Sequence, residues 1–543
     1  MIKKYWNFLS KYLFEKKKWF AWILILSAIQ CILNIVIPLY YKIIIDSALP
    51  NEDKKLFVIM IICMSLSFVF IAAIGIQRDF YLSKLSEVMA EKIRVQLNNK
   101  ISHMFYSEFD EHSLSDIVAR YSKEVEIIKE NAGKYFIKIF SNIFTVIFAS
   151  IMIIMLDWRI LFVTFIVIYT YIKINSYFGK RLKEYSEKVM KSNNDAINIL
   201  TENYNNVLVI KMLQIYEFAH KRFIEKYNRL YNAQILFDLN CSANINIGIL
   251  VIQLLGCVIW GIGGFSIFEG QSSIGNIMAI INYQSMLLSP INFLCQFNSS
   301  FQSAQTAINR ILEILNLPEE HGNELSDLNE LHEISMENLS FAYRMRKEVL
   351  KNININFKKG EITALMGPSG SGKSTILKLL MGLYECSDGV IKFDNQVVST
   401  SNIIAMRKNI SYVAPESTFF EGTIKENMFL EDSQNTALIE DLSSKFGIND
   451  EIHNLQDGWN TVLSSGGTNL STGQKRRLDF VRIFARDKNV IILDEPTAAL
   501  DKERRKKFYE YLQSIKKDKI IIVVTHNIDE KEYFDKTISL SSK

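Results

Sequence analysis

The sequence predicts a multidomain chain: a six-helix transmembrane half with long stalk helices, followed by an α/β half. Three observations predict it. Of the 543 residues 49% are hydrophobic, and mean hydropathy is +0.09; the excess falls in roughly the first three hundred positions, as runs near the ~20 apolar residues that a membrane span needs. From Ile334 onward, short strands and helices alternate. Between these regions Leu317-Pro318-Glu319-Glu320-His321-Gly322-Asn323 is polar and carries both chain breakers, as a linker does. The expected boundaries are a surface helix over 1–18, a membrane domain over 19–310, a linker over 311–333 and an α/β domain over 334–543.

Composition narrows the partners. A net charge of +4 is small for this length and gives no argument for nucleic acid. Cys31, Cys63, Cys241, Cys257, Cys295 and Cys386 lie scattered, mostly in apolar runs, with neither zinc nor disulfide spacing. Reduced, buried thiols are expected, and no structural metal.

In chain order, residues 1–18 interleave Lys3, Lys4, Lys11 and Lys16 to Lys18 with Tyr5, Trp6, Phe8, Leu9, Tyr12 and Phe14. That reads as an amphipathic helix on an anionic membrane surface. The six apolar runs follow, at Trp19–Ile45, Leu56–Ile76, Phe136–Leu156, Ile160–Ile174, Ile245–Phe268 and Ile274–Phe297. Their first, third and fifth connections, Ser47–Lys55, Asp157–Arg159 and Glu269–Ser273, are short and hold few cations. The second and fourth are long and rich in Lys and Arg, including Lys92, Arg94, Arg120, Lys183, Lys211 and Arg222. An excess of cations marks the cytoplasmic side, so both long connections and both termini are expected there. Tyr81–Met104, Val118–Lys134, Lys180–Leu200 and Ile215–Leu236 keep helical apolar spacing. At 1.5 Å per residue, a stalk of about 25 residues reaches roughly 37 Å. Short segments near Phe109–Asp116 and Val207–Gln214 mark the turning points.

In the α/β half, Met366-Gly367-Pro368-Ser369-Gly370-Ser371-Gly372-Lys373-Ser374-Thr375 fits G-x-x-x-x-G-K-[ST], the phosphate-binding P-loop. The apolar run Glu361–Met366 before it reads as a strand, and Ile376–Leu383 after it as a helix, which is the context the motif requires. The glycines bring bare N–H groups towards an anion, and the helix dipole adds to that field. Lys373 is then expected at the β- and γ-phosphates and Ser374 on Mg²⁺. Val490–Glu495 is an apolar strand ending in two carboxylates: Asp494 to hold Mg²⁺, Glu495 to orient or deprotonate a water. His526, after the strand Ile520–Thr525, can contact the γ-phosphate and that same water. Leu470-Ser471-Thr472-Gly473-Gln474 opens the helix Lys475–Arg486, with Ser471 and Gln474 spaced as a capping box.

That last stretch resembles the LSGGQ signature of ATP-binding-cassette (ABC) proteins. The rest of their pattern is present in the P-loop, the DE-ended strand, Ala498-Ala499-Leu500-Asp501 and His526. Tyr343 matches the aromatic that stacks on adenine, and Asp501 the family's D-loop aspartate. Phe109-Asp110 through Arg120 and Val209-Ile210-Lys211 resemble the coupling segments of the exporter type. The resemblance implies a half-transporter with ATP and Mg²⁺ as cofactors, embedded in the cell membrane with its ATPase domain in the cytoplasm. It also implies a second half-transporter, as homodimer or heterodimer. Each ATP would lie between one P-loop and the partner's signature, a second helix-start anion site. Three departures stand out. Thr472 replaces a Gly. The usual Gln after the strand Ile410–Val413 is missing, with Pro415, or in a shifted register Glu416 as a metal-side acceptor, in its place. The chain also stops soon after the strand Thr537–Leu540. Two functions are therefore carried: an ATP-driven exporter of a peptide, lipid or amphipathic drug, and an ATP-binding channel or regulatory half with weak hydrolysis.

The sixth run bears a polar stripe at Asn282, Ser285, Ser289, Asn292, Gln296, Ser299 and Ser303. Steps of three and four put all seven on one helical face. Small polar residues commonly pack membrane helices together; the alternative is that Asn292 and Gln296 line a cargo path.

Overall fold

The computed structural model describes the chain except residues 1–7, 13, 112–113, 321–330, 344–347, 400–401, 431–435, 499 and 541–543, and except the side chains of 111, 114–115, 132–137, 288–289, 291–292 and 294–300. The chain divides into two compact units, Met1–Asn98 with Leu114–Leu315, and Asn99–Ser113 with Asn316–Lys543. The division differs from the linear boundaries expected above, because the stretch 99–113 groups with the second unit.

The first unit is helical. Its long helices are α1 (Lys17–Ile43), α2 (Lys54–His103, of which the last turns belong to the second unit), α3 (Val125–Asn205), α4 (Tyr216–Phe268) and α5 (Ile274–Leu315). The six apolar runs thus lie on five continuous helical stretches. The third and fourth fall in α3, an 81-residue stretch made of two helices that meet across a kink at the non-helical Asp157 (φ −162°, ψ 108°). Asp157 sits where a short turn is expected, and its carboxylate accepts the Arg159 N–H at 2.9 Å, restarting the helix. Among the described residues, four helices are long and apolar enough to cross a membrane. On α2 only 6% of the most apolar window is buried, and Phe70 and Ile76 stand exposed; such a surface suits lipid rather than water. Inside the unit Tyr283 is fully buried and donates its hydroxyl to the Ile35 carbonyl at 2.8 Å. The segment 120–124 is tied to the end of α5 by crossed pairs, Arg120 to Glu313 at 2.9 Å and Arg310 to Glu124 at 2.7 Å.

The N-terminal segment differs from the surface helix expected. Phe8, Leu9 and Tyr12 are buried in protein. Tyr12 donates to Gln96 Oε1 at 2.6 Å, and Glu15 pairs with Lys92. Tyr12 and Glu15 thus tie this segment to α2. The second turning point is the short helix Val207–Leu213, closed by Gln214 in a left-handed conformation.

The second unit is α/β. Strands β1 (Glu333–Phe341), β2 (Leu350–Lys358), β3 (Ile362–Met366), β4 (Asp388–Phe393), β5 (Gln396–Val397), β6 (Ile410–Val413), β7 (Gly422–Thr423), β8 (Val462–Leu463), β9 (Val490–Asp494), β10 (Ile520–Val524) and β11 (Lys536–Ser539) form three sheets. An antiparallel sheet has the order β2-β1-β4-β5, a ribbon pairs β7 with β8, and the central sheet runs β11-β3-β10-β9-β6. All pairings in the central sheet are parallel. Ile491, Leu493, Ile521 and Val523 enter one apolar core, and Val490, Ile492, Ile520, Ile522 and Val524 the other. Burial on both faces is why these strands read as unbroken apolar runs instead of alternating ones. Parallel strands put their carboxyl ends on one edge, where ligands of such sheets bind. The helices that matter below are α6 (Lys373–Leu380), α7 (Thr472–Phe484) and α8 (Lys502–Ile515).

Candidate functional site

Four segments leave the carboxyl edge of the central sheet. They are the P-loop after β3, Glu495 after β9, Thr525-His526 after β10 and Ala414-Pro415 after β6. In the P-loop Gly367 has φ +155°, and a Cβ there would stand 2.5 Å from the Leu540 carbonyl oxygen and 2.8 Å from Ser371 Oγ. Gly372 has φ +95° as the residue before α6, and a Cβ on it would meet Leu350 at 2.6 Å. Only glycine makes these turns without strain. The loop's polar groups face inward on themselves. Lys373 Nζ donates to the Gly367 and Pro368 carbonyls at 2.8 and 2.9 Å. Ser371 Oγ is buried without a hydrogen-bond partner, an uncommon state for a buried hydroxyl. Ser374 is exposed in the first turn of α6. Thr375 Oγ1 lies 3.2 Å from the Tyr343 hydroxyl, whose half-buried ring packs edge-on against Phe341 and Tyr384.

Asp494 closes β9 at 4% exposure. Burial first, then the Glu495 charge, pushes its carboxyl up to about 6, while Arg476 and Lys373 pull the other way. Next in line, Glu495 has φ +47°, a region costly for a side-chain-bearing residue. Its N–H donates to the Val524 carbonyl at 2.9 Å, and its side chain meets His526, Nδ1 to Oε1, at 3.2 Å. The structure therefore brings Glu495 and His526 together.

The signature helix behaves as its spacing requires. Gln474 N–H donates to Ser471 Oγ at 3.2 Å and Ser471 N–H to Gln474 Oε1 at 2.9 Å, a complete capping box. Ser471 and Thr472 are exposed, and Leu470 packs against the core. Asp501 caps α8 by accepting the Arg504 N–H at 2.8 Å. Pro415 and Glu416 are both exposed. Asn292 and Gln296 lie on α5, but their side chains are outside the described part. Of the same stripe, Asn282 and Ser285 donate to carbonyls of their own helix, Met278 and Ile281.

Two functional neighbours escape a motif reading. Glu530 is 1% exposed and accepts from Thr497, Tyr509 and Thr525 hydroxyls at 2.6, 2.8 and 2.8 Å. It thereby ties the segment after Glu495 to the segment that carries His526. Arg476, buried at the start of α7, holds the end of β9. Its legible signal is spacing: Arg476 and Arg477 stand four residues before the core residues Phe480 and Val481, on the buried stripe of the helix.

Comparison with known proteins fits this geometry. The ABC transporter transmembrane region family matches residues 20–291, and the ABC transporter family matches residues 350–498. The chain belongs to the ABC transporters: a helical membrane domain fused to an α/β ATPase domain, coupling ATP hydrolysis to transport. Among its relatives is a protein of Rickettsia bellii assigned as an export ATP-binding/permease protein, 27% identical over 88% of this chain and 83% of its own. Another is the transport/processing ATP-binding protein ComA of Streptococcus pneumoniae, 25% identical over 95% of this chain and 72% of its own. A Staphylococcus aureus protein assigned to multidrug export is 25% identical over 100% of this chain and 95% of its own. A solved bacterial Atm1-family ABC exporter with ATP bound has the same fold, with a TM-score of 0.82 at 16% identity, covering 96% of this chain and 93% of that one.

Proposed function

We propose that this chain is one half of a dimeric exporter in the cell membrane, with termini and ATPase domain in the cytoplasm. The observation that carries the reading is the single sheet edge shared by the P-loop, Asp494, Glu495 and His526. ATP phosphates lie in the Gly367–Thr375 cradle. There Lys373 exchanges two neutral carbonyls for a charged acceptor, the stronger partner, and Ser371 gains the acceptor it lacks. Tyr343 offers a ring to adenine. Ser374 and Asp494 fit Mg²⁺: one hydroxyl and one carboxylate are oxygen ligands, too few for a protein cage but suited to a cation that shares phosphate oxygens. When bound, that ion neutralises phosphate charge. Glu495 orients and deprotonates the attacking water. A proton on His526 Nδ1 holds one Glu495 oxygen and leaves the other for that water.

The partner subunit supplies the second anion site. Within Leu470–Gln474 the capping box leaves the Thr472 and Gly473 N–H groups of α7's first turn, with Ser471 and Thr472 exposed to meet a phosphate from outside. ATP closes the pair only because it binds the closed state better than the open one. The six apolar runs of the sequence and the cation-rich connections support the orientation given. The multidrug name of one relative supports an amphipathic cargo, with a peptide and a lipid as the other candidates. A regulatory half with weak hydrolysis is favoured by one observation, the exposed Pro415 and Glu416 where an amide is usual. Turnover of the purified protein in lipid decides between the two. Hydrolysis stimulated by an amphipathic or peptide cargo supports the exporter. Tight ATP binding with background turnover in every lipid and cargo tested supports the regulatory half.

A further inference from the structure

Arg476 is 3% exposed, and its guanidinium is spent on backbone carbonyls. Nε donates to Pro496 O at 2.9 Å. Nη2 donates to Asp494 O at 3.1 Å and Glu495 O at 2.5 Å. Nη1 donates to Ala414 O. One side chain on α7 therefore grips three consecutive carbonyls at the end of β9 and one at the end of β6. Its charge is balanced by the neighbouring Asp479, Asp494 and Glu495 carboxylates, and its plane lies near the Phe480 ring at 5.7 Å.

A buried guanidinium is an expensive way to fill space. Removing a cation from water costs several kcal/mol even after relaxation, and an apolar residue of similar size often serves a core at least as well. The following inward residues of α7, Leu478, Phe480, Val481 and Phe484, are of that kind. What Arg476 does that they do not is donate in a rigid fork to several acceptors at once. The acceptors are also unusual. Glu495 sits at φ +47°, and a strained backbone persists only where its surroundings over-determine it. The Glu495 N–H is fixed by Val524 O. Its carbonyl is fixed by Arg476. With both ends of the residue pinned, the side chain leaves the backbone in one direction, towards His526.

We infer that Arg476 is a positioning residue: through the carbonyls of Asp494, Glu495 and Pro496 it holds the carboxylate of Glu495 in its hydrolytic geometry, and it makes that geometry depend on the signature helix. The inference rests on the reading of Glu495 as the base. Arg476 contacts none of the P-loop residues that would bind ATP, so its removal separates turnover from binding.

The experiment compares full-length Arg476→Gln, Arg476→Lys, Arg476→Ala and Glu495→Gln, and the double variant Arg476→Gln/Glu495→Gln, for Mg-ATP affinity and ATPase kcat in lipid. Arg476→Gln retains donors for part of the carbonyl set and is the variant least exposed to misfolding; near-parental ATP affinity certifies folding in each case. The expected result is a kcat lowered roughly 10- to 100-fold in Arg476→Ala, the range for misplacing a reacting group by about 1 Å. ATP affinity should move less than threefold, and Arg476→Gln should fall between parent and Ala. Arg476→Lys keeps the charge without the fork and should recover less than half of the loss. In the Glu495→Gln background Arg476→Gln should lower the residual rate no further, because there is no base left to position. Parental kcat in Arg476→Gln and Arg476→Ala with Glu495→Gln inactive overturns this inference alone. So does an equal fold-loss from Arg476→Gln in both backgrounds, or full recovery by Lys. A parental rate in Glu495→Gln sinks the assignment of the base, and this inference with it.

Discussion

His526 Nδ1 stands 3.2 Å from Glu495 Oε1, a pairing between residues that the chain places on neighbouring strands, β10 and β9. The register explains it. Val524 is opposite Asp494, so the residue after β9 and the second residue after β10 emerge side by side. If Glu495 is the base, Glu495→Gln lowers kcat by about 10²–10⁴-fold, the usual contribution of general-base catalysis, and leaves Mg-ATP binding intact. His526→Ala removes only the residue that orients the carboxylate, so its loss is smaller, roughly 10-fold. Single-turnover hydrolysis with ATP binding measured in parallel checks both. Equal losses of binding and turnover in Glu495→Gln would contradict the roles assigned.

The raised carboxyl of Asp494, about 6 against an ordinary 3.8, makes a pH prediction. Burial penalises its charged form. This group's contribution to stability is therefore complete below about pH 4 and is lost as pH rises through about 6. Mg²⁺ reverses the preference, because it takes the ionised carboxylate and releases the proton. Mg²⁺ affinity of the ATP-bound protein should weaken by roughly tenfold per pH unit below 6 and level off above 7. A Mg²⁺ titration at pH 5, 6, 7 and 8 tests it, and a flat profile from 5 to 7 would remove Asp494 from the metal site.

The parts of the site that could be read in the sequence are those whose chemistry needs a fixed local spacing. The P-loop turns, the capping box of Ser471 and Gln474 and the strand-end carboxylates each depend on a few consecutive residues, and the structure contains them. The strand-end His526 was legible from its place after an apolar strand, whereas Tyr343 needed the family resemblance to suggest it. What was not legible depends on contacts between distant segments. Arg476, in a run Lys475-Arg476-Arg477, reads as solvent-facing charge unless its spacing to Phe480 is weighed, and its carbonyl partners emerge only when α7 is packed on the sheet. The apolar side of residues 8–12 looks lipid-facing because nothing local tells Leu9 that it will be buried in protein. The third and fourth apolar runs read as separate helices, and the structure has a helix on each side of a kink at Asp157.

Glu530 joins Thr497 to Thr525 and Tyr509 through three hydroxyl hydrogen bonds. Glu530→Ala strands those three donors, each at a cost of about 1–3 kcal/mol if no water enters. Glu530→Gln keeps the shape but has one oxygen acceptor fewer. Thermal denaturation should therefore rank parent above Gln and Gln above Ala. ATPase kcat should follow the same order, because the His526 segment loses its tether. Unchanged kcat in a folded Glu530→Ala would show that His526 is placed without it.

At the loop after β6, Pro415 has neither a side-chain donor nor an acceptor. If its position corresponds to the amide usual in the family, Pro415→Gln raises turnover or its coupling to cargo by supplying a neutral group for metal and water. If the register is shifted by one, Glu416 occupies that role, and Glu416→Ala lowers turnover while Pro415→Gln changes nothing. Steady-state ATPase with and without cargo distinguishes the two registers.

The cargo path is the remaining prediction, and it rests on the stripe of α5. Asn282 and Ser285 already spend their side chains on carbonyls of their own turn, so at that end of the stripe polarity alone gives no evidence of a wet cavity. Farther along the same face, Asn292 and Gln296 have longer or equal reach and two-way hydrogen bonding. Neutral amides suit a peptide backbone or an amphipathic molecule, which carry donors and acceptors without strong charge. They suit a multiply charged cargo poorly, because uncharged groups do not offset the cost of stripping its hydration. Asn292→Leu with Gln296→Leu keeps side-chain bulk and removes the hydrogen bonding. If these residues line the path, membrane assembly and basal ATPase persist, while export and cargo-stimulated ATPase fall by roughly tenfold, the value of one or two lost hydrogen bonds. Unchanged export in the double variant sinks the cavity reading. Loss of assembly, seen as protein that no longer purifies as a folded species, assigns the stripe to helix packing, the ordinary use of small polar residues between membrane helices.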